Sequence, residues 1–433
     1  MARGDIFPSE KREFTQPETG VRAIQLTSAA CNNVNAYYNY EQFIGDSLVF
    51  YSDRSGVRQI YKVEIDSGKI VQLTDAPTDV GNFAAVPDQG RVYYASGDEV
   101  RALDVETLAE ETVSARLPGC GRPGLEDVSS CGRYLVISAR PEQVVAETRP
   151  ETSFRYGSWN RVVLCDAERG EQAVVYEGPS TEVPVAADSH LFISRDDPSF
   201  VWWGSYTRLP PAGFKTAWAL ECDTDVLAAR RHPRPLYNQQ PWEFINHYYP
   251  APDAHAEMLL YQYSGYERDG MPLADLWKGF VSRKGEYLGF MLDADLRTGT
   301  ARRWLFPGQP PLHFQRNRAG DLWAGDTADP GFLWFEGRND EARRLEEVDP
   351  EGCPPLPENH DYHWLGSGAW IGVFKKRGAF LEMRPLVRHG AEWAHVHPHP
   401  SFSPDGRWIV YASGDRTQSH VFVAEAVWPR WFA

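Results

Sequence analysis

The sequence predicts an all-β chain, a seven-bladed β-propeller whose ring is closed by an N-terminal strand joining the last blade. Three observations carry this. A turn rich in Asp and Gly followed by a short apolar run recurs seven times, at FIGDSLVFYSD, VPDQGRVYYAS, VSSCGRYLVIS, AADSHLFISRD, APDAHAEMLLYQY, NRAGDLWAGD and SPDGRWIVYAS, at spacings of 42 to 85 residues. Most copies precede a second pair of strand-like runs around an acidic turn, IYKVEIDSGKIVQLT (60–74) being the clearest. Alternating apolar runs broken by Asp-Gly, Pro-Asp and Ser-Gly read as hairpins, and four strands repeating over tens of residues read as a propeller blade. Third, the last copy ends near the C-terminus with three clear strands, while RAIQLTS (22–28) has strand character and no blade of its own. It is therefore expected to complete the last blade and remove an exposed edge.

Element by element, the blades are expected at about 33–75, 79–115, 120–178, 180–235, 241–306, 311–347 and 360–430 plus 22–28, all in one domain. Composition agrees: 42% hydrophobic and 13% aromatic residues supply a core, and 36 Gly and 32 Pro fit a turn-rich fold. Lys and Arg number 44 against 60 Asp and Glu, a net charge of −16, which argues against nucleic acid as a partner. An anionic ligand held at a local cationic site stays compatible with it. No run of about 20 apolar residues is present, so no membrane span is expected. The N-terminus lacks an apolar signal core and the six cysteines form no CxxC, so a cytoplasmic location is expected. Homo-oligomerisation is left open.

Long stretches at 139–160, 199–216, 264–288 and 352–394 interrupt the repeats, and loops on a rigid scaffold often carry function. The chemistry-bearing signal is histidine. His395, His397 and His399 recur at a spacing of two, so in an extended strand they share one face. They lie just before the SFSPDG turn, on the innermost strand of a blade. His247 in INHYYPAPDA and His313 in PLHFQRNRAGD occupy the same place in the fifth and sixth blades, with no Cys or carboxylate at comparable positions. Such a site suits a borderline divalent ion: manganese, zinc, nickel or iron. No nucleophile elbow, P-loop or dinucleotide fingerprint is present in its proper context. Trp202, Trp203, Trp364 and Trp393 offer rings for stacking on sugars, though packing between blades is the simpler use of them.

HPHPSFSPDGRWIVYAS resembles the C-terminal blade of the oligogalacturonate lyases. TGVRAIQLT, NAYYNYEQF, NHYYPAPDA and LHFQRNRAGDLWAGD extend the resemblance along most of the chain. That family implies a seven-bladed propeller with a manganese site, performing β-elimination on uronate oligosaccharides. Residue by residue, it implies His247, His397 and His399 as metal ligands and Arg161, in WNRVVLCD, near the substrate carboxylate. Its glutamine ligand falls on Ala394 here, so His395 is expected as the fourth ligand. Its base, a histidine opening the fourth blade, falls on Val183. His313 is then the expected base, with Tyr248 next and Tyr38 weaker; substrate contacts are expected from Arg161, Tyr38 and Asn35. The expected function is a metal-dependent lyase acting on an anionic uronate-containing oligosaccharide. The rival is a non-catalytic propeller binding an oligosaccharide or protein.

Overall fold

The computed structural model describes residues 2–141, 160–178, 190–206, 215–239, 243–263, 287–306, 311–327, 369–392 and 395–429. Among them the one helical turn is the 3₁₀ segment Pro87–Gln89; every other regular element is a strand. No helix there is long and apolar enough to cross a membrane.

The strands form up-and-down antiparallel groups in chain order. The first contains Asn33–Val34, Phe43–Ile44, Ser47–Ser52, Gln59–Glu64 and Ile70–Gln72. Then come Phe83–Val86 to Glu110–Ala115, Cys120–Val128 to Glu171–Glu177, and Leu191–Ile193 to Arg234–Asn238. Glu243–Ala251 to Ala301–Phe306 and Phe314–Arg316 to Phe380–Arg388 make two further groups, linked by one parallel pair, Leu305 with Phe380. In the last, Arg22–Gln25 pairs with Ser419–Glu425, beside Trp408–Gly414 and Ser401–Phe402. Local chemistry sets the turns. In SPDG, Ser403 Oγ accepts the Trp408 N–H (2.9 Å), Asp405 accepts the Arg407 N–H (3.0 Å), and Gly406 takes φ 70°, a conformation glycine adopts without Cβ strain.

First strands of most neighbouring groups touch each other, and the apolar core lies between adjacent sheets. Val136, Val162 and Leu164 of the third meet Ile193, Val201 and Trp203 of the fourth. Ile24, Trp408 and Val421 of the last meet Phe43, Phe50 and Tyr61 of the first.

The sixth group departs from the expected boundaries. Its third and fourth strands are Trp370–Arg377 and Phe380–Arg388, which the repeat spacing assigned to the last blade. The apolar run at 332–345, expected there, lies outside the described residues. Segments 142–159, 207–214, 264–286 and 328–368 all fall between the second and third strands of their groups. Antiparallel register puts the end of each second strand beside the start of the first, as the pairs Cys120–Pro141 and Phe314–Gly325 show.

The N-terminal arm bridges the first and last sheets. Ile6–Phe7 pairs with Ile70 and Val71, and Arg12–Thr15 with Arg22–Gln25. Between them Glu10 accepts the Ser28 and Ala29 N–H groups (2.5 and 2.8 Å) and pairs with Arg54 (3.0 Å), whose side chain is buried. Glu10→Ala is expected to cost about 2 kcal/mol, because charged hydrogen bonds of this type are lost and Arg54 keeps its desolvation. The check is a lower urea midpoint at unchanged slope.

Candidate functional site: a histidine cluster at the first-strand starts

Four imidazoles converge on the first strands: His313, His397 and His399 just before theirs, and His247 within Glu243–Ala251. His313 directly precedes Phe314–Arg316, and its ring centroid lies 4.3 Å from those of both His247 and His399 and 5.4 Å from that of His397. Nitrogens of His313, His397 and His399 all fall within 4.8 Å of one another. Two of these positions are conformationally unusual. His247 is the extra residue of a β-bulge between Asn246 and Tyr248 and takes φ 47°; His399 takes φ 48°. Left-handed backbone at a non-glycine residue is costly and tends to occur at functional sites, and bulges re-aim side chains.

Buried polar groups hold this geometry. The Asp326 carboxylate, fully buried, accepts from the His313 backbone N–H (2.8 Å), from His313 Nδ1–H (2.9 Å) and from the His399 N–H (3.3 Å). Asn35, also buried, donates to the His399 carbonyl (2.7 Å). The Tyr38 hydroxyl donates to the Tyr248 carbonyl (2.7 Å) and accepts its N–H (2.8 Å), pinning the bulge at His247. Burial, reinforced by His397 and His190, holds His313 well below the usual imidazole range; burial and then His313 do the same for His399. Both are therefore neutral, the form that ligates a metal. His399 Nε2 is buried with no hydrogen-bond partner among the described residues. These observations fit a divalent ion.

Several expectations need correction. His395 is not in the group. The run at 395–400 is not a strand, so its alternation does not apply, and His395 is an exposed turn residue 3.7 Å from Glu392. His313, expected as the base, is 2% exposed and tied to Asp326, so it cannot reach a sugar proton as placed. No carboxylate stands at the positions comparable to these histidines; Asp326 reaches the cluster from the second strand of its sheet. Tyr38 and Asn35, expected at the substrate, spend the polar contacts just given on backbone. Tyr248 is buried beside Trp202 and Phe192, its ring filling the space over Gly204, where a Cβ would lie 2.2 Å from the phenol oxygen. Trp202 and Trp203 are fully buried and pack between sheets. Arg161 lies at the end of the third sheet where the first strand starts, bonded to Glu177 (3.0 Å) and Cys120 Sγ (2.9 Å). Val183, Trp364, Trp393 and Ala394 fall outside the described residues.

Sequence reading missed His190. It immediately precedes Leu191–Ile193, the first strand of the fourth group, and its exposed ring stacks on Tyr37 at 5.4 Å and 14°. The edge of Tyr37 in turn meets His399 at 4.6 Å. The signal was a histidine directly before a first strand, as in LHFQR. In the fourth repeat AADSHLFISRD resembles the segments whose apolar run forms a second strand elsewhere, whereas its run Leu191–Ile193 is the first strand of its group. The fourth repeat is thus offset by one strand from its expected phase.

Two adjacent carboxylates anchor the strand behind His190. Glu126, at a bulge between Leu125 and Asp127, accepts from Ser138 Oγ (2.6 Å) and from the Leu191 N–H. Asp127 accepts the Ile193 N–H (3.2 Å) and pairs with Arg195 (3.0 Å). Burial pushes Glu126 up to about 7 and Asp127 to about 6. A carboxyl raised on folding stabilises the fold below its unfolded value and loses that contribution as pH rises through the folded one. Glu126→Gln is therefore expected to exceed the parent in urea midpoint at pH 8, the difference shrinking towards pH 5.

Comparison with known proteins supports the fold. No protein-family model and no curated protein matches the sequence. Among solved structures, an oligogalacturonate lyase in complex with manganese matches at TM-score 0.69 and 18% identity, covering 99% of each chain. An oligogalacturonate lyase from Vibrio parahaemolyticus matches at TM-score 0.69 and 17% identity, covering 98% of each. At that identity the likeness establishes a shared, propeller-like all-β fold over the full length.

Proposed function

We propose that the protein is a metal-dependent lyase that cleaves uronate-containing oligosaccharides by β-elimination, on a ring of seven blades closed by the strand at 22–25. The observation that carries the reading is the convergence of His247, His313, His397 and His399 at the first strands, with His190 across Tyr37 from them. The fold shared with oligogalacturonate lyases supports it.

The C5 proton of a uronate is weakly acidic, so elimination needs the developing charge on the C6 carboxylate stabilised and a base within reach of C5. A divalent ion, manganese first and zinc, nickel or iron as alternatives, would be held by His247, His397 and His399 and would supply electrophilic stabilisation of that carboxylate. His190 is the base: it opens the fourth group, is exposed, and its ring plane is set by stacking on Tyr37. It takes the C5 proton, the C5–H electron pair becomes the C4–C5 double bond, and O4 leaves with its bonding pair, protonated by water. Arg161 is the proposed cation for the substrate carboxylate, exchanging its bond to Glu177 for a bidentate one.

The test is incubation with a panel of uronate oligosaccharides and manganese, following the ultraviolet absorbance of the unsaturated product. A non-catalytic binding propeller would bind sugar without this absorbance and would have no need of a stoichiometric ion.

A further inference from the structure

The resemblance leaves a gap in the ligand set, since a glutamine ligand corresponds to Ala394 and His395 stands apart. One side chain is built to fill it. His313 is the central member of the cluster, at 4.3 Å from two of the other rings. Its Nδ1–H is committed to Asp326, which fixes the tautomer with the lone pair on Nε2. The same carboxylate grips the backbone N–H of both His313 and His399, so one buried anion sets two imidazoles at once. Nitrogens of His313, His397 and His399 lie within 4.8 Å of one another, and Nε2 of His399 is buried with no hydrogen-bond partner among the described residues. A shared cation would take up that nitrogen and bridge the three rings.

We propose that His313 is a ligand of the divalent ion and Asp326 its positioning residue, so that this chain holds the ion through imidazoles alone, with one buried carboxylate behind them. The inference rests on the lyase reading only for the presence of an ion. Carboxylate–histidine pairs of this kind orient ligating rings, and their loss typically costs 10–100-fold in affinity. Asparagine at 326 offers one acceptor oxygen where the carboxylate accepts three N–H bonds.

The experiment is cobalt(II) and manganese(II) binding by equilibrium dialysis, with the visible spectrum of the cobalt form, on the parent, His313→Ala, His313→Gln, Asp326→Asn and His397→Ala, without substrate. Circular dichroism selects the folded variants; His313→Gln and Asp326→Asn carry the test if the alanine variant does not fold. The expected result is cobalt affinity about 10–100-fold weaker in Asp326→Asn, with an altered spectrum, and weaker still in the His313 variants. Parent-like affinity and spectrum in the His313 variants, with binding lost in His397→Ala, would overturn this inference and leave the lyase reading standing. A parent that binds neither ion would overturn both.

Discussion

His190→Ala is expected to turn over uronate oligosaccharides about 10²–10⁴-fold more slowly than the parent, the usual scale for losing a general base. Metal content and thermal midpoint should be unchanged, because the ring is exposed and stacks on Tyr37 at the edge of the cluster. The informative comparison is His190→Ala against Tyr37→Leu. Removing the stacking surface should lower kcat while leaving the base present, so Tyr37→Leu should fall between the parent and His190→Ala. A fully active His190→Ala would end its role as base. No other exposed imidazole among the described residues stacks on the aromatic wall of the cluster.

The second large effect is expected at the ion. His397→Ala, or exhaustive chelation of the parent, should abolish product formation. Returning manganese should restore activity to the chelated parent and not to the variant. The same ion should stabilise the fold, since a ligand at 100 times its dissociation constant adds about 2.7 kcal/mol when it binds only the native state. A rise in thermal midpoint with manganese, absent in His397→Ala, ties the ion to this cluster without relying on turnover. Chelated parent with full activity would remove the ion from the chemistry.

Much of this site was legible because repeats carry position as well as structure. HPHPSFSPDG announced itself through a turn whose Ser, Asp and Gly each meet a backbone requirement, and the histidines before it inherited a place from that turn. His247 was legible for the same reason. What failed was counting across irregular copies. The fourth repeat slipped by one strand and hid His190, and the stretch at 328–368 separated Trp323–Asp326 from Trp370–Arg377. Asp326 was invisible for a different reason. It lies on the second strand of its sheet, and only antiparallel register brings it beside His313, 13 residues away. His395 misled because period-two alternation was applied to residues that form no strand. The buried hydroxyl of Tyr38 likewise has a tertiary partner, Tyr248, 210 residues distant, which no local pattern encodes.

The sheet that unites the two ends of the chain also dictates when the molecule can finish folding. The bond from the Val421 N–H to Thr27 Oγ1 joins residues 394 apart, as does the sheet around it in kind. A ribosome adding about 5–20 residues per second needs on the order of 20–80 s to make that interval. Until then Arg22–Gln25 has no Ser419–Glu425 to pair with, and the apolar faces of Phe43, Phe50 and Tyr61 wait without their counterpart from the last sheet. The nascent chain is therefore an open series of sheets with a sticky strand at its leading end. The N-terminal arm limits this hazard early: Ile6–Phe7 and Arg12–Thr15 pair with strands synthesised by residue 72 and cover the outer edges of the first and last sheets, while the inner edge of Arg22–Gln25 still awaits its final partner.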